Sequence, residues 1–144
     1  MDHSHIRLHI TVKGIVIKDN CVLLLKRVRP SSDGHGIWEL PGGGLELGER
    51  PDQALQREMK EETNLDVEVM KPVYTFTAIR KDYQTVGIGF LCQMLSEDIQ
   101  ISNEHQSYQF VAFDDLPNYL SKEIYQDVVS TIKEYQKENR IKNS

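Results

Sequence analysis

The sequence predicts an α/β fold of the α+β kind, with a central mixed β-sheet flanked by helices. Three observations carry this. Alternating, β-branched segments open the chain and recur after residue 66, a helical pattern interrupts them from residue 51 to about residue 63, and a longer helical pattern closes the chain over 121–138. Interleaved strands and helices with hairpin signals among them point to a mixed sheet packed against helices. With 144 residues and no repeat, linker or low-complexity tract, residues 1–144 are expected to form one domain.

The elements follow in order. "RLHITVKGIVI" (7–17) alternates polar and apolar residues, "KDN" (18–20) is a turn signal, and "CVLLLKRV" (21–28) resumes as a strand, so a hairpin is expected. "RPSSDGHG" (29–36) is a loop rich in turn residues, and the short strand "IWEL" runs into the turn "PGGG". Pro51 suits the first turn of a helix, Asp52 suits the positive end of its dipole, and Ala54, Leu55 and Met59 form its apolar stripe. Strands are expected over 65–80 and 85–95, split by the polar "KDYQ". A polar loop (96–107) leads to the strand "YQFVAF", and "DDLPNYL" is a turn before the terminal helix, with Ser121 as its N-cap and a frayed tail beyond Arg140. The expected core is Ile15, Ile17, Leu23, Leu25, Leu55, Met59, Val86, Ile88, Phe90, Val111, Val128 and Ile132.

Composition excludes several functions. A formal net charge of −5 argues against a stable nucleic-acid complex, whose affinity comes mainly from Lys and Arg. The N-terminus lacks an apolar core of signal-peptide length, and the longest apolar run, "CVLLL", is too short to cross a bilayer, so a soluble cytoplasmic protein is expected. Cys21 and Cys92 lack metal or redox spacing; buried thiols are the more economical reading, with one disulfide as the alternative.

The chemistry concentrates in "REMKEETNL" (57–65). On one helix Glu58, Glu61 and Glu62 share an arc of ~100°, and at 5–6 Å and an effective dielectric near 20 each pair repels by roughly 3 kcal/mol. Arg57 relieves part of this through an i,i+4 pair with Glu61. In isolation the run also reads as a solvated helical face. The glycines of "PGGGLELGE" just upstream change the balance, because a close-approaching backbone beside a carboxylate face makes a pocket for a metal-bound phosphate.

Gly43, Glu49, Arg57, Glu58, Met59, Glu61, Glu62 and Leu65 closely resemble the Nudix box, G-x5-E-x7-R-E-U-x-E-E-x-G-U with U a bulky aliphatic, over residues 43–65. The lead-in "WELPGG" and the order of strands and helices are also similar to that family. One box position departs: Asn64 stands in place of glycine, where a left-handed backbone is expected and Asn is the next-best residue. Arg50 also stands where a capping Ser or Thr would be natural.

The resemblance implies an α/β/α sandwich and metal-dependent hydrolysis, by Mg²⁺ or Mn²⁺ and an attacking water, of a phosphoanhydride bond. The substrate would be a nucleoside diphosphate linked to another group or a nucleoside triphosphate. It implies Glu58 and Glu62 as principal metal ligands, Glu61 as a third ligand or water-orienting residue, and the Gly42 carbonyl as a backbone ligand. Arg57 and Glu49 would form an ion pair that keeps the helix in register with the glycine loop around Gly43. An acidic residue from the loop 102–108 is implied as a further catalytic group, with Glu104 first and His105 second, or both as exposed loop residues. A homodimer is common among relatives.

Other candidates keep two readings each. Trp38 stacks on a base or fills the core beside the glycines; Lys26, Arg27 and Arg29 meet phosphates or form a solvated strand end. Tyr83 and Tyr74 are weaker base-stacking candidates, and His3, His5 and His9 read as a frayed terminus or exposed strand face rather than a metal site. Pro72 follows the box too soon to match the later proline associated with ADP-ribose enzymes, which favours nucleoside triphosphates over ADP-ribose or dinucleoside polyphosphates. The competing functional reading is a non-catalytic nucleotide sensor, which would usually have lost box carboxylates.

Overall fold

The computed structural model describes residues 7–28 and 37–142. Strands β1 (Arg7–Lys18) and β2 (Cys21–Arg27) form the expected hairpin around Asp19 and Asn20, both with positive φ. Only Ile17 and Lys18 of β1 pair with β2, however. The rest of β1 runs parallel to β6 (Tyr83–Met94), through Arg7 to Val16 on one side and Tyr83 to Cys92 on the other. This parallel pair makes the sheet mixed, as expected.

The remaining strands are β3 (Trp38–Glu39), β4 (Gly42–Gly44), β5 (Val67–Ile79) and β7 (His105–Ala112). The sheet order is β3-β2-β1-β6-β5, with β4 antiparallel on β1 and β7 antiparallel on β2. Helix α1 (Pro51–Thr63) packs on one face; a 3₁₀ helix (Phe113–Asn118) and helix α2 (Lys122–Lys142) lie on the other.

The two-faced arrangement explains "CVLLL". Leu23 and Leu25 join Leu55, Met59 and Phe90 on the α1 side, whereas Val22 and Leu24 join Ile15, Val111, Val128 and Ile132 on the α2 side. A strand covered on both faces loses its polar alternation. For the same reason the expected core was incomplete: Val12, Val16, Val22, Leu24 and Leu65 are fully buried, while Ile17, Val86 and Ile88 are only half-buried.

Four boundaries correct the sequence expectation. The glycines of "PGGG" are a paired strand rather than a turn, because Gly42, Gly43 and Gly44 pair with Lys13, Val12 and Thr11. The β5–β6 turn is shorter than "KDYQ", since Tyr83 and Gln84 already pair in the ladder. Strand β7 starts at His105, three residues early, because that side chain is buried. Helix α2 continues through Arg140 to Lys142, where a frayed tail was expected. Both cysteines are free thiols, Cys92 buried and Cys21 half-buried. No helix among the described residues is long and apolar enough to cross a membrane.

Candidate metal and active site

Helix α1 begins without a Ser or Thr cap; instead the Gln53 side chain accepts from the Arg50 N–H at 3.1 Å, a role the sequence reading missed. It ends at Asn64 with φ 65° and ψ 4°, the left-handed conformation expected there. The Asn64 N–H donates to the Lys60 carbonyl, and its side-chain amide donates to the Asp98 carbonyl at 3.1 Å, a tie that glycine could not make. Along the same loop, Gln100 and Ser102 donate backbone N–H groups to the Thr63 and Glu62 carbonyls. The loop before β7 thus satisfies the open C-terminal end of α1 and is held close to its carboxylates.

On the other side of α1 lies β4. A Cβ on Gly43 would sit 2.6 Å from the Glu58 carboxylate, and Gly42 has φ +142° with no room for a side chain against the Val12 carbonyl. Glycine here lets the backbone come into contact with the acidic helix. Arg57 joins the two elements: Nε and Nη2 donate to the two Glu49 oxygens at 2.8 and 3.0 Å, and Nη2 donates to the Gly44 carbonyl at 3.0 Å. Its Nη1 reaches Glu58 at 3.2 Å and Glu61 at 3.3 Å. This fork hydrogen-bonds Glu49 and holds that carboxyl below the usual range.

Glu58, Glu61, Glu62, Glu104, Ser102, Asn103, Arg27 and the strand Gly42–Gly44 line one cleft of about 310 Å³. Glu62 is only 3% exposed, and its Oε1 accepts from the Gly42 N–H at 2.7 Å. Burial pushes its carboxyl up to about 7, against the Gly42 N–H and Lys13 and with reinforcement from Glu58 and Glu39. Glu58 is likewise raised, first by burial, with Glu61 and Glu104 adding to it against Arg57. A cleft of hard oxygen donors whose carboxylates destabilise one another fits a hard divalent cation such as Mg²⁺ or Mn²⁺.

Other candidates fall elsewhere. His105 is not an exposed loop residue: its side chain is fully buried and its Nε2 lies 3.0 Å from Glu39 Oε1. Arg27 lines the cleft while its Nε donates to Glu39 at 2.6 Å. Trp38 packs edge-on against Tyr119 in the α2-side core, with Lys26 over its ring at 5.9 Å, and neither lines the cleft. Tyr83 is exposed beside His9 at the far end of β6, and half-buried Tyr74 lies over Gly89. His3, His5 and Arg29 lie outside the described residues.

The sequence reading missed Glu39 and Lys13. Glu39 carries two cationic partners, Arg27 and Lys13, the latter at 3.9 Å. Burial works against its ionisation, yet Lys13, His105 and Arg27 together hold its carboxyl low. A single acid inside the apolar "IWEL" was the signal available.

A glycine strand locked against an acidic helix, with a fourth acid brought in by a loop, is the arrangement of a Nudix domain. The family model described as the NUDIX domain matches residues 7–132, and the chain belongs to the Nudix hydrolase family. It is similar to the ADP-ribose pyrophosphatase of Methanocaldococcus jannaschii, 30% identical over 110 residues that make up 75% of this chain and 64% of that protein. It is also similar to the 8-oxo-dGTP diphosphatase of Proteus vulgaris, 48% identical over 61 residues that make up 42% of this chain and 54% of that protein. The aligned part thus spans less than two thirds of either relative. The crystal structure of a MutT protein from Methanosarcina mazei Go1 shares the fold, with a TM-score of 0.74 at 22% identity, over 93% of this chain and 96% of that one.

Proposed function

We propose that this protein hydrolyses a phosphoanhydride bond of a nucleotide, water attacking phosphorus, with Mg²⁺ or Mn²⁺ as cofactor. The observation that carries the reading is the convergence of Glu58, Glu61, Glu62 and Glu104 on one cleft beside Gly42–Gly44. Glu58, Glu62 and the Gly42 carbonyl would hold the cation, with Glu61 as a further ligand or the residue that orients water. When bound, the cation neutralises diphosphate charge and makes a water acidic enough to attack at neutral pH.

The chain's own groups supply position and proton transfer. Arg57 fixes Glu58 and Glu61 relative to β4 through its contacts to Glu49 and Gly44. Glu104, which lines the same cleft, takes the proton of the attacking water. Arg27 reaches the cleft and offers a cation to phosphate oxygens, although Glu39 engages one of its nitrogens.

For substrate, a nucleoside triphosphate is the first choice. The position of Pro72, inside β5, and the name of the Proteus relative support it, while the archaeal relative makes ADP-ribose the second choice. The test is a nucleotide panel of ordinary and oxidised nucleoside triphosphates, ADP-ribose and dinucleoside polyphosphates, with Mg²⁺ or Mn²⁺, assayed for released phosphate, pyrophosphate or monophosphate. Turnover of one member supports the reading. No turnover of any member with either metal, while the nucleotides still bind, favours a sensor.

A further inference from the structure

Strand β7 alternates regularly until its first residue. Ser107, Gln109 and Val111 pair with Lys26, Leu24 and Val22, and Leu24, Val22 and Val111 face α2. Simple alternation would send His105 the same way. The ladder instead shifts register between Lys26 and Arg27, so that His105, not Gln106, pairs with Arg27. A bulge of this kind turns a side chain to the other face of the sheet. Here it turns His105 toward α1, where its Nε2 is 3.0 Å from Glu39 Oε1 and 3.8 Å from Glu62 Oε2.

The imidazole has two faces to this arrangement. Its Nδ1 is buried with no hydrogen-bond partner among the described residues. A proton there would be stranded, and a histidine that ligates a metal ordinarily donates its other ring N–H to a partner. The three ligand atoms of Glu39, Glu62 and His105 lie within 4.8 Å of one another. The bare Nδ1 nevertheless places the proton on Nε2, where it is donated to Glu39, and so argues against this trio as a metal site of its own.

We infer that His105 is a positioning residue: by donating from Nε2 to Glu39 behind Glu62, it fixes the buried carboxylate of Glu62 in the cleft. Glu39 would otherwise oppose Glu62 as a neighbouring negative charge. With Arg27 at 2.6 Å and the His105 donor at 3.0 Å both on its Oε1, its charge is committed away from Glu62. Glu62 is then held directly by the Gly42 N–H on Oε1, while the His105 ring, tied to Glu39, lies beside its Oε2 at 3.8 Å without a hydrogen bond to it. This role rests on the reading of Glu62 as a cation ligand.

The test compares wild type with His105→Gln and His105→Asn. A glutamine amide reaches the place of Nε2; an asparagine amide reaches only that of Nδ1. Mn²⁺ affinity, measured by electron paramagnetic resonance without nucleotide, is expected to stay within about threefold for Gln and to weaken about 10- to 100-fold for Asn. Turnover number follows the same order with KM little changed, and nitrogen-15 spectra of the wild-type ring show the proton on Nε2. Equal Mn²⁺ affinity in the Asn variant, or a proton on Nδ1, overturns the inference. If wild type binds Mn²⁺ but hydrolyses nothing, the hydrolytic reading falls, and the Mn²⁺ affinities still decide the role of His105.

Discussion

The backbone N–H of Gly42 donates to Oε1 of Glu62 at 2.7 Å, linking strand β4 to the last turn of α1 across 20 residues of sequence. The glycine strand and the acidic helix are thereby one rigid unit, and the consequences of breaking that unit are measurable.

Gly43→Ala places a Cβ 2.6 Å from the Glu58 carboxylate, which must move. The fold should survive, because φ at Gly43 is not in the positive region. Catalytic efficiency should fall roughly 100-fold, the scale of a catalytic group displaced by about 1 Å. Steady-state kinetics together with a thermal melt separates this from unfolding.

Glu62 gives the metal-free protein a pH signature. A carboxyl whose folded-state pKa lies above its unfolded value favours folding below the unfolded value and loses that contribution as pH rises through the folded one. With Glu62 raised by burial to about 7, metal-free wild type should lose up to roughly 3 kcal/mol relative to Glu62→Gln between pH 4.5 and 7. The difference between the two proteins isolates the effect, since Glu39 and Glu49 are held low and act in the opposite sense. Denaturant melts in EDTA check it, and added Mg²⁺ should reverse the loss.

Arg57→Lys keeps the charge and removes the fork that grips both oxygens of Glu49 and the Gly44 carbonyl. A stability loss of roughly 1–3 kcal/mol is expected, with a fall in activity because Glu58 and Glu61 lose their shared partner. Urea unfolding and the same kinetic assay read both.

Asn64→Gly keeps the left-handed backbone and loses the amide bond to Asp98, so stability should change by no more than about 1 kcal/mol. Asn64→Val, strained at φ 65°, should cost about 1–2 kcal/mol. Equal stability of the two variants would mean that the conformation of this residue does not constrain the helix end.

What could be read before folding was whatever local spacing determines. Glu58, Glu61 and Glu62 share a face because α-helical period puts them there, and Asn64 ends the helix for a reason internal to its own backbone. Glu49 and Arg57 were found together because their separation is part of one box. Glu39 and Lys13 escaped, and His105 was named only as a loop candidate beside Glu104, because only tertiary register assembles the three. Glu39 sits on a two-residue strand, Lys13 lies on β1 beside β4, and His105 faces α1 through a bulge. The core was half-legible for a related reason: alternation reveals a strand with one wet face, and β2 has none.

The cation site proposed at Glu62 and its neighbours is tested by the nucleotide hydrolysis it would support. The most direct measurement is Mg²⁺-dependent turnover of the nucleotide panel by wild type and by Glu62→Gln, a substitution that keeps an acceptor for the Gly42 N–H. Wild type should turn over at least one nucleotide, and the variant should be slower by about 10³-fold or more with an unchanged fold. A variant as active as wild type, or a wild type that hydrolyses nothing with Mg²⁺ or Mn²⁺, would contradict it.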